Sequence, residues 1–454
     1  MGKTLTVNPL KTSPALGAAY ALQGIKGAIA LFHAAPGCTF LGKVLMTQHV
    51  KEPVGLVGTD IKEMPTIMGG LDELKNKILD VTEKFKPSVI GVIGTALSEV
   101  RGEDVETVMS SEFGVGSKNK QSKGFHSELR THNSELIYIP CPDYMGGFDD
   151  GYAKAVEVML ENMAEAGPVI SDQINILPSA FLTIGDLEEI KETVSAFGLK
   201  PVVLPDLSLS MDGSKARYGI LPLDGLHIEE IKRMGRAAAT IAIGKSMQKA
   251  GEILRQKFKT PLYSFGGLTG LEAMDEFIKL LMNLSGKDAP ENIRRWRKRL
   301  IDGMVDTHLI MADKKIAIGL DGDMPSGISS FCREMGMSLI ADCPSPFPLP
   351  SGERVRERGD LEDLEDMARD ADLLIANSHG KEISDRLGIP LLRMGFPVYD
   401  RFGETLKVRV GYRGTLNFLF DMANIFQEGR NESYHRNHPK RQGMDAAIHS
   451  EHQC

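Results

Sequence analysis

The sequence predicts an α/β protein. Three observations carry that prediction: apolar runs of strand length recur along the chain, amphipathic helical stretches separate them, and Gly or Pro bounds most of the runs. Short continuous apolar runs, lacking the alternation of a half-exposed strand, mark strands buried on both faces of a parallel sheet. A helix between consecutive strands is what a parallel crossover requires.

Taken in order, "LDELKNKILDVTEKF" is a helix leading into the strand "SVIGVIG" (Ser88 to Gly94), and "ELIYIP" is a strand followed by the helix "GYAKAVEVMLENMAEA". "QINILP", "KPVVLP" and "TIAIG" continue the series; "KKIAIGL", "MSLIADC" and "DLLIANS" close it. The units fall into three clusters, each expected to form a Rossmann-like domain with a parallel sheet flanked by helices: residues 1–169, 170–312 and 313–428. The charged helix "PENIRRWRKRLIDGMVDTH" lies between the second and third. In residues 429–454 the period stops. This polar, His-rich segment is expected to be a disordered tail, because it has too little apolar surface to offset the entropy of ordering.

A chain of 454 residues with 42% hydrophobic content has material for two to four cored domains. A net charge of -8 argues against a nucleic-acid partner, since phosphate binding needs a basic surface. No charged-then-apolar leader opens the chain and no apolar run approaches membrane-spanning length, so a cytoplasmic protein is expected. The five cysteines, Cys38, Cys141, Cys332, Cys343 and Cys454, are scattered and odd in number. That is no disulfide framework; reduced thiols are expected.

Several motifs are weak. No G-x-x-x-x-G-K-[ST] loop is present, so ATP binding through a P-loop is not expected. "GVIGTALSEVRGED" lacks the spacing of a dinucleotide fingerprint. "SFGGLTGLEAMDEF" reads first as a tight turn and second as an anion cradle at a helix start. His379, in "NSHGKEISDRLG", stands where α/β sheets bind ligands, but a histidine holding its turn by a hydrogen bond is the favoured reading. His435, His438, His449 and His452 with Cys454 suggest metal capture by the tail; they lack structural-zinc spacing, and a solvated tail is preferred.

Cys38 is the strongest candidate. "HAAPGCTFLGKVLMTQH" sets it behind a Pro-Gly turn at a helix start, with Phe40, Val44 and Leu45 following at helical spacing. Free N–H groups at a helix start favour a thiolate, and Gly37 lets the backbone approach a bulky ligand. A buried structural thiol is the competing reading. An iron–sulfur cluster wants about four protein ligands, so with Cys141 the nearest cysteine along the chain the others would come from another subunit.

The segment "NPLKTSPALGAAYALQGIKGAIALFHAAPGCTFLGKVLMTQHVKEP" resembles the N-terminal region of the nitrogenase molybdenum–iron protein superfamily. The resemblance continues through "LTGLEAMDEFIKLL", "RRWRKRLIDGMVDTH", "RGDLEDLEDMARDADLLIANSHG" and "LLRMGFPVYDRFGETLKVRVGYRGTLNFLFDMANI", and covers nearly everything but the tail. In the catalytic β chains of that superfamily three cysteines hold half of an eight-iron cluster. Here the first position falls at Ser13, the second is kept as Cys38, and the third falls at Ala96; a cluster-touching serine falls near Asp143. The turn also departs from the family, "HAAPGC" standing for His-Gly-Ser-Gln-Gly-Cys.

The single cysteine resembles the β-type chain of the scaffold on which the iron–molybdenum cofactor matures. That resemblance implies a metal ligand at Cys38, to a 4Fe–4S cluster shared with a NifE-like α-type chain in an α2β2 heterotetramer. It further implies a cofactor precursor held mainly by the partner, and a transient encounter with an ATP-dependent iron protein. Two alternatives stand beside it: a β-type subunit of a related reductase, either nitrogenase or a tetrapyrrole reductase, and an interaction subunit without metal.

Overall fold

The structure is a computed structural model and describes residues 12–61, 70–113, 134–211, 221–342 and 360–437. The α/β class holds: the strands form three four-stranded sheets, and every strand pair is parallel. The first sheet contains β1 (Ala28–His33), β2 (Leu56–Gly58), β3 (Val89–Gly94) and β4 (Glu135–Pro140), in the order β2-β1-β3-β4. The second contains β5 (Ile170–Pro178), β6 (Lys200–Val203), β7 (Ala237–Ile243) and β8 (Leu262–Phe265), in the order β6-β5-β7-β8. The third contains β9 (Lys315–Gly319), β10 (Ser338–Asp342), β11 (Leu373–Ala376) and β12 (Leu391–Arg393), in the order β10-β9-β11-β12. In each sheet the chain runs outward one way and then the other, so each has a switch point beside its first strand, at the carboxyl edge where such sheets bind ligands.

Four strands are not announced by the pattern. β2, β8 and β12 are short edge strands. β1 is central, but only the short Gly24–Gly27 break, with Lys26 its one charge, separates it from an equally apolar helix, so the two read as one apolar stretch.

The helices used below are α1 (Pro14–Gln23), α2 (Pro36–Val50), α3 (Leu71–Phe85), α4 (Ala96–Val100), α5 (Phe148–Met163), α6 (Leu271–Ser285), α7 (Glu291–Met311) and α8 (Gly411–Asn437). All of α1 is buried. Gly17 lies against the Phe148 carbonyl and Gly151 against that of Pro14, so a methyl group at either position would force α1 and α5 apart. Phe148, at the start of α5, joins the three units: its ring lies 5.6 Å from Tyr20, 5.7 Å from Phe181 and 4.4 Å from Phe396. The charged helix α7 packs along α8, with Gly303 against Leu416 and Phe420.

Helix α8 continues past residue 429 to Asn437, further than the loss of apolar period suggests, since extending an existing helix is far easier than starting one. Residues 438–454, with His438, His449, His452 and Cys454, lie outside the described residues, as does Cys343. Among the described residues no helix is long and apolar enough to cross a membrane.

Candidate functional site

The carboxyl edge of the first sheet collects the positions singled out in the sequence. Cys38 follows β1 in the first turn of α2, Ala96 follows β3 as the first residue of α4, and Asp143 follows β4. Ser13, just before α1, reaches this edge through its hydroxyl, which donates to Asp143 Oδ1 at 2.5 Å. The two oxygen-bearing positions are therefore partners of each other, a contact that their separation of 130 residues hides in the sequence.

Cys38 is exposed, whereas Cys141 and Cys332 are buried. Burial pushes the Cys332 thiol up to about 12 and the Cys141 thiol higher still, so both behave as small apolar side chains. The buried-thiol reading thus holds for these two and fails for Cys38. Beside Cys38, Gly37 has open space where a side chain would stand, and no atom lies within 4 Å of that position. Neither packing within the chain nor a left-handed backbone accounts for this glycine, and the space beside it is open.

Helix α2 is set into the edge with apolar side chains on both sides, one set on the core and one set turned outward. Its buried face is Thr39, Gly42, Met46 and Val50. Gly42 allows the approach, since a methyl group there would strike Leu16 and Leu56. Two residues of the helical stripe seen in the sequence point outward, Phe40 at 66% exposed and Val44 at 37%, with Leu41 beside them at 67%; the third, Leu45, is half-buried against the core. Val100 and Tyr144, on the same edge after β3 and β4, are also exposed. Large apolar groups gathered around an exposed thiol are the signature of a surface that another molecule covers.

The far end of α2 is closed by the chain itself. His49 Nδ1 accepts the Val398 N–H at 3.0 Å, and its ring meets Phe396 edge-on at 4.7 Å. Burial drives this imidazole down to about 4, which suits a ring that must stay neutral to accept.

The remaining candidates find simpler roles. At the glycine-rich start of α6, Glu334 accepts the N–H groups of Leu271 at 2.9 Å and Glu272 at 3.2 Å, so the anion in this cradle is the protein's own carboxylate. The turn around His379 is held by Asn377, whose Oδ1 accepts the His379 N–H at 3.0 Å; the imidazole makes no hydrogen bond among the described residues. Side-chain amide and backbone do the work expected of the ring. A cleft of about 500 Å³ lies between the second and third units, lined by Thr183, Gly267, Asp323 and Arg409 among others. Its charged groups are committed: Asp323 accepts from Lys245 N–H at 2.9 Å and from Ser246, and Arg409 pairs with Glu404.

The model of the family described as nitrogenase component 1 type oxidoreductase matches residues 13–427. The nitrogenase iron-molybdenum cofactor biosynthesis protein NifN of Nostoc sp. is 38% identical over 442 residues, spanning 96% of this chain and 97% of that protein. Its namesakes in Mesorhizobium japonicum and Klebsiella pneumoniae are 40% and 33% identical, covering 94% and 98% of this chain and 92% and 96% of their own lengths. Among solved structures, a chain of "Nitrogenase Cp1 at pH 6.5" superposes with a TM-score of 0.86 at 27% identity, covering 95% of each chain.

Proposed function

The chain belongs to the nitrogenase component 1 type oxidoreductase family, and on that footing we propose that it is a subunit of a scaffold for iron–molybdenum cofactor biosynthesis, in which Cys38 supplies one ligand to a 4Fe–4S cluster shared with an α-type, NifE-like chain. The biosynthetic part follows the relatives, which carry that role in their names and match from end to end. The observation that carries the ligand assignment is the exposed thiol of Cys38 at a helix start with room beside it and apolar side chains turned outward around it.

The residues fit one share of such a cluster. A soft thiolate suits iron, and a lone thiolate on an open edge suits a group completed from across a subunit boundary. Ser13 and Asp143 satisfy each other, and Ala96 offers no donor atom, so this chain does not present the further thiolates of a catalytic β chain. A bound cluster supplies one-electron chemistry at the boundary. The chain holds that boundary in place: α2 is pinned at its far end by His49, and Phe40, Leu41 and Val44 offer the partner an apolar face.

The wider assembly is an α2β2 heterotetramer in which the partner holds most of the cofactor precursor, with electrons delivered in passing by an ATP-hydrolysing iron protein. The test is co-expression with the α-type chain, followed by iron analysis and electron paramagnetic resonance of the purified complex. About four irons per αβ pair beyond those of the precursor, with a 4Fe–4S signal absent from either chain alone, is the expected result. A stable complex without that cluster, or a lone chain that carries it, overturns the proposal.

A further inference from the structure

His33 closes β1 five residues before Cys38 and is fully buried. Its Nδ1 lies 3.2 Å from Thr59 Oγ1, and its Nε2 lies 2.5 Å from Glu103 Oε2. Thr59 Oγ1 also accepts the N–H of Ala34 at 3.3 Å, and Ala34 is the first residue of the turn that carries Cys38. The backbone on both sides is gripped too: the Ala34 carbonyl accepts the Ile61 N–H at 3.1 Å, and the His33 carbonyl accepts the Thr95 hydroxyl at 2.9 Å. Glu103 is fixed in turn by the Gly70 N–H at 2.7 Å, at the start of α3, and by Arg101 at 2.8 Å.

The Glu103 carboxylate, paired with Arg101, accepts from His33 Nε2, which therefore carries a proton; Thr59 Oγ1 accepts the Ala34 N–H and still has a proton and a second lone pair to meet His33 Nδ1. Burial, the largest influence on His33, lowers its pKa against the opposing pull of Glu103, in keeping with a neutral ring.

We infer that His33, braced between Thr59 and Glu103 beneath the turn, is a positioning residue for Cys38. The inference rests on the proposed ligation by Cys38. Ala35 gives α2 no side-chain cap, so the turn is held at two points, its root at Ala34 and the buried Thr39 that follows Cys38. Fixing that root fixes where the thiolate meets a cluster whose other ligands stand on a separate chain, and buried partners of a ligand commonly tune its metal in this way.

The test compares His33→Ala, Thr59→Val and Glu103→Gln in the full chain, each co-purified with the α-type partner, by iron content, electron paramagnetic resonance line shape and cluster reduction potential. The expected result is a retained cluster with a broadened spectrum and a shifted potential in His33→Ala. Thr59→Val, which keeps the shape and removes the hydroxyl, shows a smaller change of the same kind, and His33→Gln recovers part of the wild-type line shape. A lower melting temperature with an unaltered spectrum and potential overturns the inference, because His33 then only supports the fold. Should His33→Ala not fold, Thr59→Val and Glu103→Gln decide by the same readouts. A cluster untouched by Cys38→Ala sinks the ligand reading itself, so the two failures are distinguishable.

Discussion

Two of the helices that start from glycine-bearing turns, α6 and α2, differ in that the chain finishes only the first. At α6, Gly270 leads into N–H groups that Glu334 accepts from within the same chain. At α2, Ala35 gives no side-chain cap, the first turn has no acidic residue, and the thiol of Cys38 is left exposed. A glycine-rich turn before a helix is thus a poor guide to ligand binding on its own. What separates the two is whether the chain supplies its own anion, and whether the side chains around the turn face inward or outward. At α2 the far end is closed by His49 while the Cys38 end is open, so the opening is local to the thiol.

The comparison can be broken most severely at the outward face. Phe40→Glu with Leu41→Glu places two charges on side chains that the fold does not bury. The expected outcome is loss of partner binding, and of the shared cluster with it, while the melting temperature of the isolated chain is unchanged. Gel filtration of the co-expressed chains reads the first; a fall in the isolated chain's melting temperature would show that this face belongs to the core.

The closed end of α2 makes a pH-dependent prediction. Unfolded histidine takes up a proton near pH 6.5, as model peptides do, whereas folded His49 does so only near about 4. Between those values the unfolded state binds more protons, so His49's contribution to stability is whole above about 6.5 and falls away as the pH drops toward 4. His49→Gln should flatten the fall in melting temperature over that window. An unchanged slope would show that the Val398 contact does not hold His49 neutral.

The smallest effect is expected at the finished helix start. Glu334→Ala removes the carboxylate from α6 and should cost about 1 kcal/mol, the usual scale of a lost helix cap. Iron content and partner binding should be untouched. Denaturant unfolding measures the cost, and a loss of the cluster in this variant would mean that the two helix starts are coupled.

The α/β class was legible because buried parallel strands are short apolar runs wherever they occur. β1 escaped because the helix before it is as apolar as the strand, and the short Gly24–Gly27 break between them did not separate the two periods. The helix start at Cys38 was legible from its Pro-Gly turn, but the side that α2 buries was not. Spacing gave the stripe of Phe40, Val44 and Leu45; the fit of Gly42 onto Leu16 and Leu56 turned Phe40 and Val44 outward and left Leu45 half-buried on the core. The links among His33, Thr59 and Glu103, and between Ser13 and Asp143, join residues far apart in the chain, and no local pattern announces them. The one hint was a histidine ending an apolar run, where a buried polar ring demands partners.

The most direct measurement takes the complex of this chain with its α-type partner and compares wild type, Cys38→Ser and Cys38→Ala by iron analysis and electron paramagnetic resonance. Ligation by Cys38 predicts an assembled complex in which Cys38→Ala has lost the shared 4Fe–4S signal and the matching iron, and Cys38→Ser keeps a reduced or altered signal through its oxygen. An assembled Cys38→Ala complex with wild-type iron content and an identical spectrum would contradict it.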